Sequence, residues 1–157
     1  MSETDITIEG MEAYMDKLTK SPDRLIEHIL QQAMQDAEML AVKQRINCPA
    51  VTGMLRESIE AFCNREGDVI EAGTRTGNEH AALVELGTGP RGSEKGHPLD
   101  SELGVVRKSE PWRVNILGIG VRYTGGQPAA PFMYPAIKEM EKTIKLHFGS
   151  AVREVLR

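Results

Sequence analysis

The sequence predicts an α+β fold: a small, mostly antiparallel sheet packed by long N-terminal and C-terminal helices, with a long central loop. Three observations point there. Apolar residues recur at helical spacing towards both ends of the chain, they alternate in steps of two through its middle, and a Gly- and Pro-rich tract interrupts the alternating part. With 157 residues the chain matches the roughly 150 residues typical of one domain. Residues 1–157 are therefore read as a single domain. It comprises N-terminal helices over about 10–47, the sheet with a mobile loop over about 89–110, and a C-terminal helix over about 132–157.

Ile6 and Ile8 flank Thr7 ahead of Glu9 and Gly10, the alternation of a short first strand. Met11, Tyr14, Met15 and Leu18 stand at i, i+3, i+4 and i+7, one face of an amphipathic helix. Ser21 then offers an N-cap, and Pro22 suits the first helical position. The stripe of Ile26, Leu30, Ala33, Ala37 and Leu40, with Ile29 and Met34 beside it, predicts a second helix running to Asn47. Pro49 stops it, because the residue before a proline is steered out of the helical region. From Leu55 the period changes to two: Leu55, Ile59, Ala61 and Cys63 share one face, and Ser58, Glu60 and Phe62 the other. Asn64 to Gly67 is a turn signal, and Asp68 to Ala72 the returning strand of a hairpin.

His80 to Glu85 reads as one or two turns of helix, halted by Gly87, Gly89 and Pro90. The stretch that follows holds Pro90, Gly92, Gly96, Pro98 and Gly104 among mixed charges. It is predicted as an excursion without regular structure that orders against a partner, since long irregular loops in compact domains are usually functional. Trp112, Val114 and Ile116 alternate as a third main strand, ended by Gly118 and Gly120, and Thr124 to Pro128 form a loop. Met133, Ile137, Met140, Ile144 and Phe148 mark the C-terminal helix, with Val152 and Leu156 continuing the stripe beyond Gly149.

Composition narrows the function. A hydrophobic fraction of 40% and a charged fraction of 27% are those of a globular chain. Nineteen basic residues against 23 acidic ones give −4, without the bulk basicity of a dedicated nucleic-acid binder. No apolar run approaches the ~18 residues of a membrane span. Met1 to Asp5 lack the basic and apolar regions of a secretory signal, which predicts a protein that is neither secreted nor inserted in a membrane. Cys48 and Cys63 are the only cysteines; reduced, core-type residues are expected, with a Cys48–Cys63 disulfide as the alternative. Eight methionines, set beside only seven aromatic rings, suit surfaces that repack against partners.

No catalytic, cofactor or metal site is predicted, and the chain is not read as an enzyme. Gly87-Thr88-Gly89-Pro90-Arg91-Gly92 matches G-x-G-x-x-G, but no strand leads into it and no helical pattern follows, so its glycines are read as turn formers. His28, His80, His97 and His147 are scattered, without the i, i+4 pair of a zinc-binding helix, and His28 and His147 are expected at or near helix surfaces. A hydrolase using Cys63, His80 and Glu85 is the remaining catalytic reading, although neither cysteine has a nucleophile-elbow frame. Arg91, Lys95, Arg107, Lys108 and Trp112 form a candidate interface. With Arg113 and the basic residues of the last helix (Lys138, Lys142, Lys145, Arg153, Arg157), they supply the alternative of a small nucleic-acid-binding module centred on residues 91–113. Glu139, Glu141 and Glu154 pair along that same helix, which favours a solvated mixed-charge face.

Three blocks occur in order along the chain: Thr52-Gly53-Met54-Leu55-Arg56-Glu57-Ser58-Ile59, then Ala81-Ala82-Leu83-Val84-Glu85-Leu86-Gly87-Thr88, then the segment from Gly126 through Pro131-Phe132-Met133-Tyr134-Pro135 to Ala136. They resemble the T-G-x-L-R-x-S-I, aromatic-A-x-x-V-E-F-G-T and G-x-x-A-x-P-F-L-x-P-A blocks of a family of tailed-bacteriophage structural proteins. Its members are minor tail components or neck and head–tail joining proteins. The upstream helices and the start at Ile6–Gly10 are similar too. The chain departs from the pattern at His80, where the family often has Tyr, at Leu86 for Phe, at Met133 for Leu, and in a longer loop before Trp112.

The resemblance implies a virion protein of the head–tail connector, a neck or tail-completion component made in the host cytoplasm. It implies a ring of this chain, six copies by likeness, that contacts neighbouring connector and tail proteins around a channel. DNA would pass through that channel without sequence-specific binding, and no membrane and no cofactor would be involved. The motif residues Gly53, Leu55, Arg56, Ser58, Glu85, Gly87, Thr88, Pro131, Phe132 and Pro135 are then structural. Gly53 and Gly87 suit turns, Pro131 and Pro135 fix the approach to the last helix around a core Phe132, and Glu85 is expected to pair with Arg56.

Overall fold

The computed structural model describes residues 22–49, 52–67 and 69–155. The strand expected at Ile6–Ile8 and the helix expected over Met11–Leu18 lie outside them. In chain order the elements are α1 (Pro22–Asn47), α2 (Met54–Glu57), β1 (Ile59–Glu66), β2 (Val69–Thr76), α3 (Ala81–Leu86), α4 (Gly89–Glu94), α5 (Asp100–Leu103), β3 (Trp112–Ile116), β4 (Gly120–Thr124) and α6 (Met133–Val155). The fold is α+β as expected, with its antiparallel strands divided between two separate hairpins.

The 26 residues of α1 make a rod about 39 Å long at 1.5 Å per residue. Asp36, Ala37, Leu40, Ala41 and Gln44 are its buried positions, a stripe at helical spacing that the buried Cys48 continues just past its end. Small residues there let α6 and the first hairpin pack against the same rod. The buried face of α6 runs through Ala136, Met140 and Ala151, with Ile144 half-buried. Ile137 and Phe148, expected on that face, are 45% and 54% exposed. The cause is the two alanines: they allow a closer approach to α1 than branched or aromatic side chains, and the helix rotates to use them. Gly149 does not interrupt α6, which continues through it to Val155. A polar link crosses this interface, where His147 Nδ1 lies 2.6 Å from Oδ1 of the buried Asp36.

β1 begins at Ile59 rather than Leu55, because Gly53, at φ +85°, turns the chain into the single helical turn of α2 first. Ile59 is fully buried, Ala61 packs on the core, and the Cys63 thiol faces the Leu30 carbonyl of α1 at 3.7 Å. The alternation anticipated from the sequence therefore points the right residues inward. The ladder pairs Ile59 with Thr76 through Glu66 with Val69, so β2 runs four residues past its expected end at Ala72.

Two expectations are corrected in the second half. Residues 89–110 are not without regular structure, since α4 and α5 lie within them. Pro90 stands in the first turn of α4, where its missing N–H costs nothing. The glycines expected to end the third strand instead carry a reversal: Gly118 and Gly120 have φ near +80° to +90°, and β4 returns along β3 with Trp112 opposite Thr124 and Ile116 opposite Gly120. This second hairpin packs chiefly on itself.

The core draws on all three motif blocks. Ile59 and Leu55 come from the first, Ala81 and Val84 from the second, Phe132 and Met133 from the third, and they meet Ala41 of α1 and Cys48 just beyond it.

Candidate functional site

The centre of the molecule is a clasp built on Glu85. Phe132 leads into α6, which opens with Met133-Tyr134-Pro135, and none of these side chains accepts a hydrogen bond from the unpaired amides at the helix start. Glu85, on α3, does so from across the chain. Its Oε2 accepts from the Phe132 and Met133 amides at 2.7 and 2.9 Å, and its Oε1 from the Tyr134 amide at 2.9 Å. The next residue, Pro135, has no N–H to satisfy. A negative charge at this helix end also opposes the partial positive charge of the helix dipole.

His97 closes the clasp from the third side. Leu99 N–H donates to His97 Nδ1 at 3.1 Å, so Nδ1 is the acceptor and the ring proton sits on Nε2. Nε2 then donates to Glu85 Oε1 at 3.2 Å. The imidazole meets the Tyr134 ring edge-on, with centroids 5.2 Å apart, and both His97 and Glu85 are buried. His97 was visible in the sequence only as an isolated loop histidine; the fold gives it a partner 12 residues away.

Arg107 pins the same segment from below. It donates to Asp100 Oδ2 and Oδ1 at 2.7 and 2.6 Å and also to the Leu86 carbonyl at the end of α3. Asp100 Oδ2 in turn accepts from the His97 amide at 3.0 Å. Hydrogen bonding from Arg107 holds the Asp100 carboxyl below its ordinary value of 3.8, and the same bond raises the Arg107 guanidinium further.

The second and third blocks join backbone to backbone. Thr88 N donates to Gln127 O at 2.9 Å, Gln127 N to Thr88 O at 3.1 Å, and Ala130 N to Val84 O at 2.9 Å. Gly87 and Gly126 permit this approach. A Cβ at Gly87 would lie 2.5 Å from Ala129 N, and one at Gly126 would lie 2.0 Å from Thr88 O. The first block attaches elsewhere: Arg56 donates to the Cys48 carbonyl at 3.1 Å, at the end of α1, and Arg45 donates to Ile59 O. The expected Glu85–Arg56 pair is thus replaced by two separate helix-end contacts, with Glu85 at the start of α6 and Arg56 at the end of α1.

The other sequence candidates fall as follows. Both cysteines are free thiols, so the Cys48–Cys63 disulfide is not formed. Burial pushes the Cys48 thiol up from its ordinary value. Cys63 faces α1, the exposed His80 precedes α3, and Glu85 is occupied by four donors, so the hydrolase trio is not assembled. A short helix does start inside the G-x-G-x-x-G match, contrary to expectation, but it has six residues and follows a helix instead of a strand. Of the candidate interface, Arg91, Lys95 and Lys108 are exposed, with Lys108 stacked 5.0 Å over the Trp112 ring. Arg107 is committed inside the chain. His28 lies 3.3 Å from Glu154, and His147 is half-buried against Asp36. Among the described residues no helix is long and apolar enough to cross a membrane.

Beside the clasp lies an open groove of about 630 Å³, walled by Pro49, Met54, Leu55, Leu83, Val84 and Trp112. Trp112 and Thr124, the first ladder pair of the β3–β4 hairpin, form one of its sides.

Residues 9–87 match the model of a protein family described as "Bacteriophage HK97-gp10, putative tail-component". The match includes the first motif block and the second as far as Gly87, and with them Glu85. No curated protein and no solved structure matches the chain.

Proposed function

The chain belongs to the HK97-gp10-like family of phage tail components, and from that premise we propose that it works at the head–tail connection. In this reading it is a neck or tail-completion protein that forms a ring around the DNA channel and helps join tail to head. The observation that carries the reading is a contrast between interior and surface. The Glu85 carboxylate and the two terminal guanidinium nitrogens of Arg107 are taken up by partners within the chain, while large apolar side chains such as Ile46, Leu117, Ile119 and Tyr123 are more than half exposed. Exposed apolar surface on this scale is completed by protein partners. Head-to-tail contacts between identical subunits close into a ring when the rotation per subunit divides a full turn. An acidic balance of −4 keeps a passing duplex from adhering to it, because adhesion to the phosphate backbone depends on basic neutralisation.

The test is the mass of the purified protein in solution, alone and then mixed with purified tails or with filled heads. A stoichiometric ring on one of those particles supports the connector role and identifies the side on which the protein docks. A chain that ignores both particles overturns it.

A further inference from the structure

We propose that the β3–β4 hairpin is a docking arm, and that its tip enters the groove at the root of the same arm on a second copy of this chain. The inference rests on the ring reading above and names the contact that would close the ring. Leu117 at the tip is 101% exposed, Tyr123 74%, Ile119 58%, Val121 47% and Ile116 42%. Opposed residues of an antiparallel pair share a face. Trp112, Val114 and Ile116 therefore line one face of the hairpin, and Val121 and Tyr123 the other. A surface hairpin ordinarily hides one face and wets the other, and a lone two-stranded hairpin is marginal in water. Apolar side chains on both faces describe an element that a partner encloses. The exposed area amounts to several hundred square ångströms, which approaches the ~800 Å² that each partner contributes to a stable interface.

Three features make that partner a second copy. First, the tip sequence Leu117-Gly118-Ile119-Gly120 is uncharged and narrow, and Met54, Leu55, Leu83 and Val84 give the groove apolar walls beside the polar Asn78 and His80. Second, Arg113 and Arg122 are the only charged residues from Trp112 to Thr124; without them the rest of the chain goes from −4 to −6. The exposed Glu79 lies between the groove residues Asn78 and His80, and Oε1 of the exposed Glu57 lies 3.7 Å from where a Cβ on the groove residue Gly53 would stand, which brings acid close to where basic strands would pass. Third, Trp112 and Thr124 make the arm spring from the side of its own groove, yet its tip stays fully exposed, so the arm does not fill the groove at its own root. Each copy gives an arm and receives one, which is a head-to-tail relation.

The test is a pair of cysteines, Leu117→Cys on the tip and Met54→Cys in the groove, in a Cys63→Ser background, oxidised after assembly on purified tails or filled heads. A ladder of cross-linked multiples of this chain is expected from the double variant, and neither single variant should give more than a dimer. Wild-type rings without that ladder overturn the arm contact and leave the ring reading standing. A cross-link to a protein of different mass gives the groove to another virion component and also overturns the contact. Wild-type protein that forms no ring on either particle defeats the ring reading, and the inference falls with it. As an independent check, Leu117→Asp should leave the thermal midpoint of the free protein unchanged and reduce ring formation at least about tenfold, because it places a carboxylate in an apolar groove. Undiminished assembly of that variant overturns the contact.

Discussion

Replacing Glu85 by alanine withdraws an acceptor from four donors at once. Phe132 is fully buried, so its amide has no route back to water, and an orphaned buried donor costs about 1–3 kcal/mol. The Met133 and Tyr134 amides lie in half-buried residues and can be partly rehydrated. Loss of a helix cap costs about 0.5–2 kcal/mol, and loss of a charge at a partly buried helix end up to ~2 kcal/mol. These contributions overlap, which places the total near 3–5 kcal/mol, a large share of the ~5–15 kcal/mol that holds a typical domain together. Urea unfolding followed by far-UV circular dichroism reads it directly. With a slope of about 2 kcal/mol per molar, the midpoint should fall by roughly 2 M. Glu85→Gln keeps one acceptor oxygen but loses the charge, and should fall between alanine and wild type. An alanine variant within about 0.5 M of wild type, or a glutamine variant indistinguishable from it, would refute the clasp as the joint of the fold.

Gly126→Ala should be as damaging, since it combines a positive φ of 80° with a Cβ placed 2.0 Å from the Thr88 carbonyl oxygen; a loss of about 3 kcal/mol is expected in the same urea assay, and wild-type stability would count against the backbone docking of residues 88 and 127. Arg107→Ala should speed tryptic cleavage between Arg91 and Lys108 with little change in total helicity, and cleavage at the wild-type rate would show that the Asp100 link does not hold the segment. Asp100 titrates below its ordinary 3.8 in the fold because of Arg107, so its contribution is complete above that value and is lost as pH falls through the lowered one. Asp100→Asn should accordingly be less stable than wild type at neutral pH and converge with it at the acid end; parallel acid curves would contradict this. Cys48, buried and with its thiol pushed up, should react with a thiol reagent far more slowly than Cys63 until the protein unfolds, and equal native rates would refute its burial.

Local periodicity carried much of the fold. The stripe from Ile26 to Leu40, opened by Ser21-Pro22 and closed at Pro49, corresponds to α1, and the alternation from Ile59 to Cys63 gives the inward face of β1. The pattern fails where tertiary contacts override it. β4 was hidden because Gly118 and Gly120 read as terminators and because a hairpin apolar on both faces shows no clean alternation. α4 and α5 were hidden because each is too short to show a period, and they are held by Arg107 and by Gly125, whose carbonyl accepts from the Arg91 amide. Glu85 stands out in the sequence as a motif residue, but the charge pair with Arg56 that its sign suggests gives way in the fold to the amides at the start of α6. The helix it caps begins 48 residues later, and no rule of local capping reaches that far. One signal was available: a strong helical stripe beginning at Met133 with no Ser, Thr, Asp or Asn before it announces a helix whose amides must find their acceptor elsewhere.

The long reach of Glu85 also sets a schedule for the ribosome. At ~5–20 residues per second, the amides that this carboxylate needs emerge several seconds after it does, later even than the β3–β4 hairpin. Until then Ile59 and Ala81 lack Phe132 to pack against, and α1 presents Leu40 without Met140. A nascent chain therefore displays the β3–β4 hairpin before it has a finished body, and synthesis of α6 is the step that ends this interval.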